Sequence, residues 1–301
     1  MNCECTTVYE NSDERTIYLK LLGLDGVEPS DITVEIKIAG DLQARRALGI
    51  MHGAHINHHF MESLTPWLDD MKLIYLSAPG RLGSSPIETL TGDAYAAIFS
   101  RAFACLKEQG EFDSLDLLGY SMGGYLGTRI CLLREVEVGR LVYFFSCAGG
   151  PTGIDDSIEL VTNHPESRSD PEMLGCIAVK GFAPGAPAEY MGMVAAMLPV
   201  CGAPPEWMIN DMIALGKTDY MAQLEDLPAG TKFMFVNGAD DQVILGASSM
   251  ATADRLAGLG FDVSVVTVPD CGHIDFPRKL HNDLLTGERG IALHVREFLN
   301  S

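Results

Sequence analysis

Short apolar runs that alternate with helix-patterned segments constrain this chain more than any other feature. Ala47–Met51, Met71–Leu76, Leu115–Leu118, Arg140–Ser146, Thr231–Val236 and Phe261–Val268 have strand length, and most lack a polar face. The segments between them carry apolar residues at helical spacing; in Asp93–Glu108 these are Ala94, Ala97, Ile98, Phe103 and Leu106. Strands buried on both faces and separated by helices predict an α/β chain, with a mainly parallel central sheet covered by helices on both faces. Thr16–Leu22 and Asp31–Ile38, joined by the turn Gly23–Pro29, predict an antiparallel pair at the sheet edge. Further helices are expected over His58–Leu68, Gly123–Arg134, Ala247–Leu259 and near Gly290–Leu299.

From Cys147 to about Gly230 the pattern changes. Nine of the 15 prolines and seven of the 14 methionines fall here, Met191, Met193, Met197, Met208 and Met212 among them. Helical patches occur, but no strand-like run. Lying between two sheet strands, this segment is expected to be a helical lid over the carboxyl end of the sheet. The chain therefore divides into a core, residues 1–146 and 231–301, and a lid, residues 147–230.

Charge narrows the partners. With 41 acidic and 21 basic residues, the net charge is −20. Phosphate contacts need Lys and Arg, so nucleic acid is not expected as a partner. An anionic membrane surface is disfavoured for the same reason. The acidic surface is read as a solvated face, with attraction of cationic substrates as the alternative. The eight cysteines show no disulfide-framework spacing, and the polar start Met1–Glu10 does not resemble a secretory leader. A reducing cytoplasm is the expected location. Cys3-x-Cys5 reads as a frayed terminus rather than half of a metal site. A small-molecule substrate is the expected partner, and a homodimer is left open.

Gly119-Tyr120-Ser121-Met122-Gly123 follows the strand Leu115–Leu118 and opens a helix. A strand that turns abruptly into a helix forces its central residue into a strained conformation and requires small neighbours two positions away on either side. The serine hydroxyl then projects above the sheet, at the amino end of a helix whose field favours negative charge. The ordinary alternative is a capping serine flanked by packing glycines.

On these residues the chain resembles the α/β-hydrolase superfamily from about Arg45 onward. The resemblance implies the α/β-hydrolase fold and the order nucleophile, acid, histidine. It makes Ser121 the nucleophile. Asn237-Gly238-Ala239-Asp240-Asp241 follows a strand, and the family's acid commonly stands three residues after such a glycine, which selects Asp241 with Asp240 as the alternative. Asp270-Cys271-Gly272-His273 follows the last strand and makes His273 the base. Met51-His52-Gly53-Ala54 resembles the family's His-Gly segment, which implies that the amides of Ala54 and Met122 form the oxyanion hole. His52, Gly53, His55 and Tyr120 are the expected substrate contacts.

Two features depart from that pattern. His52, His55, His58 and His59 crowd eight residues and invite a zinc reading. No metal motif accompanies them, so no metal or other cofactor is expected, and His55, His58 and His59 are assigned to the pocket mouth or a helix cap. Ser77-Ala78-Pro79-Gly80-Arg81-Leu82-Gly83-Ser84-Ser85 keeps the family's Pro-Gly and Gly-x-Ser elements but lacks its aspartate and has one extra residue.

The expected activity is hydrolysis of a carboxylic ester or related acyl bond of a small, largely apolar substrate. A serine nucleophile disfavours dehalogenase and epoxide hydrolase chemistry, which use aspartate in this fold. The methionines and Trp207 suit apolar ligands. Carbon–carbon bond hydrolysis or a proline-type aminopeptidase is the alternative, the latter with Glu159, Glu189 or Glu206 holding an amine. A non-catalytic ligand-binding protein is the alternative of another class.

Overall fold

β4 (Arg46–Met51) runs along the middle of a nine-stranded sheet, and every one of its residues after Arg46 is buried. It pairs in parallel with β5 (Lys72–Leu76) on one side and β6 (Ser114–Tyr120) on the other. The chain then adds β7 (Val138–Phe144), β8 (Lys232–Gly238) and β9 (Val263–Val268), all parallel. Beyond β5 lie the antiparallel strands β3 (Ile32–Gly40), β2 (Glu14–Leu21) and β1 (Cys3–Glu10), giving the order β1-β2-β3-β5-β4-β6-β7-β8-β9. The computed structural model describes residues 3–164, 180–216, 218–281 and 289–301.

Alternation along the strands builds two cores. Ile74 and Leu76 of β5, and Phe233 and Phe235 of β8, join one apolar cluster with Phe99 and Phe103 of α1 (Gly92–Glu108), Leu126 of α2 (Met122–Leu133) and Leu256 of a later helix. Leu73, Tyr75, Met234 and Val236 point the other way, toward Met61, Leu64, Val295 and Leu299. A side-chain period of two makes this division automatic. The mainly parallel sheet with helices on both faces agrees with the expected fold class.

Three sequence expectations need adjustment. The terminus read as frayed is β1, paired with β2 from Cys3↔Leu21 to Glu10↔Arg15, so β2 and β3 sit one strand in from the edge. Its side chains are almost all exposed, so backbone pairing holds it and no apolar alternation marks it. His58–Trp67 forms 3-10 turns rather than an α-helix, and Pro66 lies within it. Asn57 caps this run through a 2.9 Å bond from the His59 amide.

Between β7 and β8 the described residues contain no strand. They form α3 (Asp155–Asn163), α4 (Ala188–Cys201) and α5 (Pro205–Gly216), followed by a 3-10 turn at Met221–Asp226. The remainder of the expected lid, residues 165–179 and 217, lies outside the described residues. The core closes with α6 (Gly246–Gly258) and α7 (Ile291–Leu299). Among the described residues no helix is long and apolar enough to cross a membrane.

Strand order fixes where chemistry can occur. After β4 the chain turns to one side for β5, then crosses back to place β6 on the other. Loops leaving β4 and β6 at their carboxyl ends therefore flank a switch point, where open α/β sheets bind ligands. The register pairs Met51 with Gly119, so the segments His52–His55 and Tyr120–Met122 emerge side by side.

Candidate active site

Ser121 joins β6 to α2 with φ 53° and ψ −119°, in the region that side chains avoid. A side chain at Gly119 would collide with the Gly123 backbone, and one at Gly123 with the Met51 backbone. The turn is held from three directions. The Ser121 amide donates to the Phe144 carbonyl at 3.0 Å, the Gly124 amide donates to the Ser121 carbonyl at 3.0 Å, and Ser146 Oγ donates to that carbonyl at 2.5 Å. A conformation costing about 1–3 kcal/mol persists only when its surroundings determine it this fully.

His273 Nδ1 lies 2.8 Å from Asp241 Oδ2, and both side chains are buried. The other carboxylate oxygen of Asp241 accepts the Val243 amide at 2.8 Å and the Ile244 amide at 3.0 Å. Asp240 is half-buried, and its amide donates to the Cys271 carbonyl at 3.1 Å. The histidine thus pairs with Asp241, the acid preferred in the sequence.

Tyr120 connects the serine turn to the histidine loop. Its hydroxyl donates to the His273 carbonyl at 3.0 Å, and its ring lies 5.1 Å from the imidazole. Burial, helped by the nearby Asp241 charge, pushes the phenol well above its usual value, so it remains a neutral donor. The expected substrate contact is therefore committed to a protein carbonyl.

The loop after β4 presents its expected residues differently. Gly53 abuts Ser121 and Tyr120 so closely that a Cβ would press on both. Ala54 is half-buried beside it, and the buried Met122 opens α2. His52 has both ring nitrogens engaged. Its Nε2 accepts the Ala78 amide at 3.0 Å, which leaves Nδ1 to donate to the Gly53 carbonyl at 2.7 Å. Burial and Arg81 hold it well below the usual histidine range, so it is a neutral strut for this loop rather than a group turned to a ligand.

His55 is different. It has φ 69°, and its buried Nε2 has no hydrogen-bond partner among the described residues. Burial first, then the Arg81 and His273 charges, lower its pKa to about 4. It is a neutral imidazole with a free nitrogen near the histidine of the Asp241 pair. His58 and His59 lie apart from this loop, gathered on Glu62.

The sequence matches the family model described as "Alpha/beta hydrolase family" over residues 51–281. The chain belongs to the alpha/beta hydrolase family. Solved structures agree on the fold. An esterase from Exiguobacterium antarcticum has a TM-score of 0.71 at 19% identity, covering 94% of this chain and 99% of its own. A thermophilic esterase from Thermogutta terrifontis has a TM-score of 0.72 at 16% identity, covering 94% and 98%. The enol-lactonase from Burkholderia xenovorans LB400 has a TM-score of 0.69 at 14% identity, covering 94% and 100%. Identities this low show the fold alone. No curated protein matches the chain.

This hydrolase also carries site supports that sequence reasoning missed. Arg81 and Asp211 form an ion pair at 1% and 0% side-chain exposure. Arg81 Nε also donates to the Ile56 carbonyl at 2.8 Å, and Nη1 to the Pro79 carbonyl at 3.1 Å. Asp211 further accepts from the Tyr95 hydroxyl at 3.2 Å and the His55 amide at 3.3 Å. One carboxylate on α5 thus ties together the loop after β5, helix α1 and the loop after β4. Trp207, one turn earlier on α5, packs where a Gly80 side chain would stand. A second seam fastens the histidine loop. Asp275 Oδ2 accepts the Gly272 amide at 2.8 Å and the Ala183 amide at 2.7 Å, and the Ile274 amide donates to Gly181 at 2.8 Å.

Cutting the first seam has a calculable cost. Asp211→Ala leaves a buried guanidinium without a counter-charge and is expected to destabilise the protein by about 3–5 kcal/mol. Urea unfolding would measure it. The double variant Arg81→Met/Asp211→Leu, which removes both charges, should recover most of the loss. A loss under about 1 kcal/mol for Asp211→Ala would mean that water reaches Arg81 and that the pair does not hold α5 to the core.

Proposed function

We propose that this hydrolase cleaves a carboxylic ester, or a related acyl bond, of a small and largely apolar substrate through an acyl-enzyme on Ser121. The observation that carries the reading is the buried 2.8 Å pair of His273 and Asp241 behind a serine held at φ 53°. His273 Nδ1 donates to Asp241, so Nε2 is the basic nitrogen. It takes the Ser121 proton as the hydroxyl attacks the carbonyl carbon, and Asp241 stabilises the imidazolium that forms. The tetrahedral oxyanion is held by the amides of Ala54 and Met122. The Met122 amide is the first of α2 and has no partner within the helix. His273 then protonates the leaving alcohol, and water, deprotonated by the same nitrogen, releases the acid.

Apolar surroundings behind His273 support the apolar part of this reading. His273 lies against Tyr120 at 5.1 Å and Phe145 at 6.3 Å between ring centres. Phe276 sits 5.3 Å from Tyr120 in the same buried aromatic cluster. Helices α4 and α5 would form the cap over the site, with Trp207 seated on Gly80. In this reading His55 is the specificity residue, because its free neutral Nε2 suits one polar group of the substrate. A lactone, being a cyclic ester, fits the same chemistry.

A fluorophosphonate probe tests the reading, because it phosphonylates activated serines with loss of fluoride and spares ordinary ones. Intact mass should show one adduct on the wild type, none on Ser121→Ala and little on His273→Ala. If the wild type takes no adduct and turns over no ester in a series of graded acyl size, the proposal fails.

A further inference from the structure

The four histidines that crowd the sequence after β4 separate in the fold. His52 and His55 stay with the loop beside Ser121. His58 and His59 turn instead toward Glu62, one 3-10 turn later. His58 Nε2 lies 3.4 Å from Glu62 Oε1, and His59 Nδ1 lies 2.7 Å from the same oxygen. A donor atom from each of the three residues falls within 4.8 Å of the others.

We propose that His58, His59 and Glu62 form a binding site for a divalent transition metal, with zinc as the ion it suits best. Two imidazoles and one carboxylate are borderline ligands of the kind zinc takes, and a fourth position remains for water. Geometry supports this. Tetrahedral zinc with bonds of about 2.0–2.1 Å separates its ligand atoms by about 3.4 Å. The His58–Glu62 separation already has that value, and the His59–Glu62 contact must open by less than about 1 Å as the ion replaces the shared proton.

The outer shell fits as well. A metal-bound histidine normally donates its second ring nitrogen to an oxygen, and a metal-bound carboxylate is itself hydrogen-bonded. His58 Nδ1 lies 2.8 Å from Ser77 Oγ at the end of β5. Glu62 Oε2, the oxygen not offered to the ion, accepts from Lys37 Nζ at 3.1 Å. Lys37 opposes a cation, but it also pairs with Glu14 at 2.7 Å. With Glu35 nearby, three carboxylates face one ammonium, and the local balance favours a cation. An entry path exists, since the side chains of His59 and Glu62 are 34% and 26% exposed. The ion would staple together the first turn of the His58–Trp67 segment, which His58 already ties to Ser77, and takes no part in the serine chemistry.

Calorimetric titration of the chelator-treated, untagged protein with zinc chloride tests the site. The wild type should bind one equivalent in a saturable phase, and zinc should raise its unfolding temperature. Glu62→Gln and His59→Asn should each abolish that phase. Ser77→Ala should weaken it about tenfold or more, the usual effect of losing an outer-shell partner. The surface variant His294→Asn should leave it unchanged. Near-ultraviolet circular dichroism establishes that each variant is folded; should Glu62→Gln not fold, the half-exposed His59 carries the test. No one-equivalent phase in the wild type, or an unchanged phase in folded His59→Asn, overturns the proposal. Neither result depends on ester turnover or probe labelling, so the site can fail without the hydrolase reading and the reverse.

Discussion

Ser121→Ala is expected to lower kcat for an activated ester by about 10⁵- to 10⁶-fold, the scale seen when a serine nucleophile is deleted. A remnant above the uncatalysed rate should survive, because oxyanion donors and substrate binding do not depend on the hydroxyl. The fold should not suffer. Ser121 makes no side-chain cap to α2, and alanine has the same Cβ in the same strained backbone. Melting temperatures of the two proteins should therefore agree closely, so that lost turnover cannot be lost structure. Progress curves with enzyme in excess, corrected for spontaneous hydrolysis, measure the ratio. Activity within tenfold of the wild type would remove Ser121 from the nucleophile's place.

The serine turn was legible because its physics is local. Two glycines, a preceding strand and a following helix all fall within a few residues, and each is required by sterics that the sequence displays. The histidine and acid loops were legible through family resemblance, which supplied their order, and through the strands before them. Choosing Asp241 over Asp240 was harder, since one residue of slippage exchanges them. In the structure His273 lies against Asp241, which the Val243 and Ile244 amides turn inward.

What the sequence hid was long-range or made by the backbone. Arg81 and Asp211 stand 130 residues apart, and neither is marked by its neighbours. A lone arginine in a loop and a lone aspartate in a helix ordinarily face water, and only the packing of α5 against the sheet removes both from it. Strand β1 left no trace because its side chains bury almost nothing and its backbone bonds carry no residue signature. The histidine run was only partly legible. The sequence grouped His55, His58 and His59 at the pocket mouth or a helix cap, whereas the positive φ at His55 and the turn capped by Asn57 divide the run into two pairs with separate environments.

The same two amides make the effect of Asp241→Asn predictable in sign. Oδ1 of residue 241 must accept from Val243 and Ile244, so an asparagine will place its oxygen there and turn its NH₂ to His273. An NH₂ facing Nδ1 requires that nitrogen to accept. The proton then moves to Nε2, where it can no longer receive one from Ser121. The shape of the site is retained and the tautomer is reversed, which is expected to cost about 10⁴-fold in kcat. Asp240→Asn should change kcat by less than about twofold, since its side chain does not meet the imidazole. Steady-state kinetics on the two isosteric variants separate these outcomes, with thermal unfolding as the control for structure. If Asp240→Asn were the damaging change and Asp241→Asn the silent one, the histidine would take its orientation from the other aspartate during turnover, and the 2.8 Å pair would be structural only.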